Sequence, residues 1–84
     1  MQFQARILVA LKASILDPAG QAVEKALHEQ AFPEVQDVRI GRTITLKLSA
    51  SNAAEAQARV EQYCKKLLVN PVIESSQVEL EEIG

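Results

Sequence analysis

The N-terminal strand sets the strongest limit on how this chain folds. Phe3, Ala5, Ile7, Val9 and Leu11 alternate with Gln4, Arg6, Leu8, Ala10 and Lys12, the period-2 pattern of a β-strand. A strand with one wet face carries polar residues throughout its second set. Here Leu8 and Ala10 are apolar as well, so cover is expected on both faces over the C-terminal half. Helices would supply one side and another subunit the other. Chain length points the same way. Eighty-four residues make one small domain over 1–84, which buries only about 60–65% of its unfolded surface at an expected radius of gyration of roughly 12 Å. Such a body has little room for an enclosed substrate pocket of ~300 Å³ or more. With three aromatic residues and no Trp, the core rests on Ile, Leu, Val and Ala.

Asp17-Pro18 reads as a helix start, with an N-capping carboxylate and a proline at the first helical position. Ala19, Ala22, Val23, Ala26, Leu27 and Ala31 follow one helical face, and Pro33 ends the segment. Residues 35–40 are expected as a second strand, with Val38 and Ile40 on one face. Ile44, Leu46 and Leu48 mark a third strand, reached through a hairpin at Gly41. A three-residue loop would pair Ile40 with Ile44 and Val38 with Leu46, keeping one apolar face. Ser51-Asn52, with Glu55 three residues beyond Asn52, opens a second helix as a capping-box variant. Ala53, Ala56, Val60, Tyr63, Cys64 and Leu67 line its apolar face, and Asn70-Pro71 stops it. A last strand runs over 72–82 with Val78 and Leu80 inward. The expected order is β-α-β-β-α-β, a ferredoxin-like α+β sandwich with an antiparallel sheet and two helices on one face.

Chemistry is sparse. The three glycines lie far apart, so no phosphate-binding glycine loop exists. One Cys cannot close a disulfide within the chain, and one Cys with one His is too few for a structural zinc site. His28 falls on the polar face of the first helix and Cys64 on the apolar face of the second, which argues against a base–nucleophile pair. Nine Lys+Arg against eleven Asp+Glu give a net charge of −2 without a basic cluster, so nucleic acid is not an expected partner. No apolar run approaches the ~18 residues of a membrane span, and the N-terminal residues lack a signal-peptide pattern, so a cytoplasmic location is expected. Lys12 remains a candidate anion ligand, and Arg39 and Arg42 flank Gly41 as a candidate partner-binding tip. Glu79, Glu81 and Glu82 form a charged edge that discourages strand pairing. The residues alone thus describe a small oligomeric α+β domain without a catalytic set of its own.

Three segments carry a family resemblance: residues 11–20 (LKASILDPAG), 35–42 (VQDVRIGR) and 64–74 (CKKLLVNPVIE). In order and spacing they resemble the PurS family, the small subunit of phosphoribosylformylglycinamidine synthase. Two departures stand out. Arg42 sits where the family often has Lys, and Ser75-Ser76 replaces an acidic and aromatic pair. The resemblance implies a part in the conversion of formylglycinamide ribonucleotide, glutamine and ATP to formylglycinamidine ribonucleotide, glutamate, ADP and phosphate. In that complex a large synthetase subunit would hold ATP and Mg, and a glutaminase subunit would release ammonia. The small subunit, a homodimer or dimer of dimers, would bridge the two and carry no catalytic residue, metal or cofactor. Its implied interface residues are Lys12, Asp17, Pro18 and Gly20 at the first turn, Arg39, Gly41 and Arg42 at the hairpin, and Asn70 and Pro71 at the second turn. The alternative is a free-standing oligomeric ferredoxin-like module that binds a small ligand between subunits. A glycine-rich ligand loop would favour it, and this chain has none.

Overall fold

A computed structural model describes residues 1–84. Gln2–Leu11 form β1, Pro18–Glu29 form α1, Gly41–Ser49 form β2, Ala53–Tyr63 form α2 and Glu74–Glu82 form β3. The sheet runs β2-β1-β3 with both pairings antiparallel. Ile7 at the centre faces Ile44 on one side and Val78 on the other. The α+β class, the antiparallel sheet and the two helices are as the sequence predicts.

The strand count differs by one. Residues 35–40 form no strand, and no hairpin turns at Gly41; the order is β-α-β-α-β. Gly41 instead opens β2 opposite Ala10, and Ile44 and Leu46 pair with Ile7 and Ala5 rather than with Ile40 and Val38. The physical reason lies in how this leg satisfies its backbone. Ile40 N–H donates to Asp17 Oδ2 at 2.7 Å and Val38 N–H to Glu24 Oε1 at 3.4 Å, while the Val35 carbonyl meets His28 Nε2 at 2.6 Å. Side chains of α1 and its cap thus take the groups a sheet ladder would have used. Asp37, at φ 55, breaks the pleat with a left-handed residue that Asp tolerates better than most.

α1 begins as predicted. Asp17 Oδ1 accepts from Gly20 N–H at 2.9 Å, and Pro18 occupies the first position. Its end comes earlier than Pro33. Ala31, at φ 71, turns the chain left-handed; its N–H bonds the His28 carbonyl and Phe32 N–H bonds the Leu27 carbonyl. That is a Schellman closure with Ala where Gly is usual.

α2 carries the expected cap, with Glu55 N–H donating to Asn52 Oδ1 at 2.8 Å and Glu55 Oε2 accepting from Ser51 N–H at 3.0 Å. The helix then widens into a π-helical turn, Cys64–Leu68, closed by Val69 N–H to the Cys64 carbonyl. The wide turn accommodates one extra residue and shifts the apolar face. Leu68 and Val69 therefore pack on the core, whereas Leu67, predicted inward, stands 85% exposed.

The core is thin. Phe3, Ala5, Ile7 and Val9 of β1 meet Ala50, Ala56, Val60 and Cys64. Ten of the 84 residues are buried, which fits an elongated body of 51 × 27 × 14 Å with a radius of gyration of 16.5 Å. α2 lies over β1 and β3, but α1 stands off the sheet: Gly20 is its one buried residue, and its predicted core face is open to solvent. The second face of β1 is open too, with Leu8 38% exposed.

Candidate functional site

The segments around Lys12, Arg39 and Asn70 are far apart in sequence, yet the fold gathers them at one end of the sheet. β1 leaves the sheet there at Leu11, β2 enters at Gly41 and β3 enters at Glu74. The polar side chains of this end bind the chain itself. Lys12 Nζ donates to the Pro71 carbonyl at 2.8 Å, and Lys12 N–H to the Ile73 carbonyl at 2.8 Å. Arg39 Nη2 reaches the carbonyls of Lys12 at 2.9 Å and Ile15 at 2.8 Å. Asn70 Oδ1 accepts from Val72 N–H at 3.1 Å, and Asn70 N–H donates to Glu74 Oε1 at 2.8 Å.

Arg42 completes the brace. It holds Glu74 with both guanidinium nitrogens, at 2.5 and 3.2 Å, and donates to the Leu68 carbonyl at 2.7 Å. A planar fork suits this task as a single ammonium does not. The Arg42 guanidinium, helped by Asn70 N–H, holds the Glu74 carboxyl below the usual carboxylate range, and Glu74 raises Arg42 in return.

Asp17 is the one buried charged residue of the chain, at 4% exposure. The N–H of Ile40 and then that of Gly20 stabilise its ionised form, with the Arg39 charge adding to them, so its pKa is lowered. Gly20 is needed because the leg crosses it closely: a β-carbon there would collide with the Val38 carbonyl oxygen. Gly41 has the same constraint against the Val9 carbonyl oxygen.

Of the nine predicted interface residues, all lie at this end. Asp17, Pro18 and Gly20 start α1, Lys12 and Arg39 tie the first turn to its neighbours, and Gly41, Arg42, Asn70 and Pro71 join β2 to the α2–β3 connection. Arg39 and Arg42 do not flank a hairpin; both stay exposed but are anchored on backbone carbonyls. Sequence reasoning missed the apolar residues beside them. Leu16 is 64% exposed and Val72 75%, and with Leu67, Ile40 and Ile73 they are exposed next in sequence to residues of the braced network. The signal for Leu67 was present: the run Leu67-Leu68-Val69 is too long for one helical stripe to bury.

The arrangement presents a rigid surface rather than reactive groups. Cys64 is buried, and burial pushes its thiol up, with a hydrogen bond from Ser76 opposing. His28 is exposed on another helix. Across the open sheet face, Leu8, Ala10, Gly41, Thr43, Ser75 and Gln77 line a shallow groove of about 480 Å³. No helix is long and apolar enough to cross a membrane.

The family model for PurS, phosphoribosylformylglycinamidine (FGAM) synthase, matches residues 4–82. This chain belongs to the PurS family. The phosphoribosylformylglycinamidine synthase subunit PurS of Bacillus subtilis is 43% identical over 81 residues, 96% of this chain and 95% of the relative. A structure of PurLQS from Thermotoga maritima contains a chain with TM-score 0.89 and 33% identity, covering 96% of this chain and 99% of that one. PurS of Methanocaldococcus jannaschii, described as one of the subunits of formylglycinamide ribonucleotide amidotransferase in the purine biosynthetic pathway, has TM-score 0.86 and 32% identity over 98% and 99% of the two chains. The three segments singled out in the sequence meet in one structural unit, the braced end of the sheet.

Proposed function

We propose that this chain is the small, non-catalytic adaptor subunit of phosphoribosylformylglycinamidine synthase. The observation that carries the reading is its full-length likeness to a chain of the Thermotoga maritima PurLQS structure. In the proposed complex a glutaminase subunit releases ammonia. A synthetase subunit that binds ATP and Mg consumes it to convert formylglycinamide ribonucleotide to formylglycinamidine ribonucleotide. Ammonia is protonated and lost in bulk water, so the reaction needs a water-excluding junction between the two sites. An adaptor supplies such a junction by shape and rigidity, without a nucleophile or base of its own.

The braced end of the sheet is the proposed docking face. Lys12, Asp17, Arg39, Arg42 and Asn70 fix the backbone there, and Gly20, Gly41, Pro18 and Pro71 shape it. Leu16, Leu67 and Val72 project from it as apolar anchors of the kind that partner pockets take. The chain is also proposed to self-associate as a homodimer or dimer of dimers, in the cytoplasm. Its exposed area of 5888 Å² exceeds by about 1,000 Å² what a folded monomer of this mass exposes.

Assembly tests this reading. Synthetase and glutaminase subunits are mixed with glutamine, ATP and Mg, with and without this chain, and analysed by size-exclusion chromatography. A three-component peak that forms only when the chain is present is expected. Co-elution of the two large subunits without it, with the chain left behind, would remove the adaptor role and favour the ligand-binding module.

A further inference from the structure

The π-helical turn Cys64–Leu68 lies between two anchored points. At one end Cys64 is buried in the same cluster as Val60. At the other, Asn70 is tied to Glu74: its N–H donates to Glu74 Oε1 at 2.8 Å and its carbonyl accepts Glu74 N–H at 2.7 Å. Arg42, which grips Glu74, also holds the Leu68 carbonyl at 2.7 Å. The wide turn takes up one residue more than an α-helix would between these points. It closes with Val69 N–H on the Cys64 carbonyl at 3.1 Å.

The same residues suit a second register. Positions three and four beyond Cys64 share its face in an α-helix, and these are Leu67 and Leu68. The π-turn moves that face one residue along, to Leu68 and Val69, and leaves Leu67 85% exposed. Three consecutive apolar residues thus serve two registers, each of which turns two of them inward. Burial favours the α-helical one, because Leu67 carries one methylene more than Val69, and the π-helix is the rarer form. Something else therefore holds the π register, and the contacts that reach it are those of Arg42, Glu74 and Asn70.

We propose that residues 64–69 are a two-register element, in which the Arg42–Glu74 brace holds the π register with Leu67 outward. Release of the brace lets the segment revert to an α-helix with Leu67 inward and Val69 outward. The extra residue then passes into the turn before Glu74, and the bonds between Asn70 and Glu74 are given up. Leu67 is an anchor of the proposed docking face, so the brace also sets whether that anchor is offered; this consequence rests on the adaptor reading above. One methylene of burial is worth a factor of about four in an equilibrium. The released chain would keep the π register in about one copy in five, and should bind the large subunits about fivefold more weakly.

The test uses the full chain without the large subunits. Methyl NMR reads which side chain touches the core. In wild type, Val69 should contact the buried cluster around Val60 and Leu67 should not. In Arg42→Ala/Glu74→Ala the pattern should exchange, with Leu67 contacts appearing and those of Val69 falling about fivefold. Deletion of Lys66 is the control, because it places Leu68 and Val69 three and four positions beyond Cys64. Removing the brace from that chain should leave Leu67 outward, and an inward Leu67 there would overturn the proposal. Should the double variant fail to fold, Arg42→Lys decides: it should move the same signals in the same sense by less. Unchanged contacts in a folded variant would also overturn the proposal. So would joint loss of core contacts by Leu68 and Val69, which is fraying and not a change of register. Complex formation by wild-type chain with the large subunits is read independently, so the adaptor role and the register proposal can fail separately.

Discussion

Arg42 and Glu74 join the two outer strands of the sheet across the end of the central one. Arg42 lies in β2 opposite Val9, Glu74 in β3 opposite Leu11, and the guanidinium grips the carboxylate at 2.5 Å while also holding the Leu68 carbonyl. The three strands are therefore locked together at the proposed docking face, and the π-turn is fastened to the same point.

Removing the fork should loosen this end. Arg42→Ala is expected to lower the melting temperature and to speed amide exchange around Asn70 and Glu74. Arg42→Lys keeps the charge, loses the second nitrogen and should fall between the two. Arg39→Glu should also cost stability, because its guanidinium binds two carbonyls. An Arg42→Ala melting curve that overlays wild type would show the brace to be ornamental.

Acid should act through three carboxylates. Asp17, Glu55 and Glu74 all have lowered pKa values in the folded chain, Asp17 and Glu55 chiefly from backbone N–H donors and Glu74 from Arg42. A depressed folded-state pKa contributes stability that is fully present above the unfolded value, near 4 for these groups, and lost as pH falls through the folded value. Thermal stability should therefore hold from neutral pH to about 4.5 and drop below it. Asp17→Asn should flatten that drop, and an unchanged acid limb in this variant would contradict the assignment.

Backbone geometry gives a matched pair of substitutions. Ala31 sits at φ 71 with its N–H bonded in the helix closure. Ala31→Gly should stabilise by about 1 kcal/mol, a rise of roughly 4–8 °C. Gly20→Ala should do the reverse, because its β-carbon meets the Val38 carbonyl; a loss of about 1–3 kcal/mol is expected from overpacking. Differential scanning calorimetry checks both signs.

The core and the docking face should separate in mutants. Val60 is fully buried, so Val60→Ala should cost about 2 kcal/mol from lost contact and cavity. Leu67→Ser with Val72→Ser removes two exposed side chains and should leave the melting temperature within about 2 °C, within the range of surface substitutions. The same pair should weaken binding of the large subunits by about tenfold or more, ~1.4 kcal/mol. Calorimetric titration with wild-type affinity for this pair would move the docking face elsewhere.

Much of this could be read from residue order. Asp17-Pro18 and Asn52 with Glu55 announce their helices because capping is local chemistry, and Phe3 to Leu11 announces its strand by alternation. The leg 35–40 misleads because Val38 and Ile40 alternate like a strand, while their N–H groups go to Glu24 and Asp17, more than a dozen residues away. Leu67 misleads because a π-turn shifts the helical register, which α-helical spacing does not anticipate. The residues of the braced end stood out as a set through the three segments. Their mutual bonding, which makes them a brace, depends on tertiary proximity.

In the proposed role the chain couples glutamine hydrolysis to amidation. The most direct measurement is formation of formylglycinamidine ribonucleotide by the two large subunits, with and without this chain, first with glutamine and then with ammonium chloride as nitrogen donor. Glutamine-dependent turnover should require the chain, while ammonia-dependent turnover should depend on it much less. Equal rates with and without the chain on both donors would contradict it.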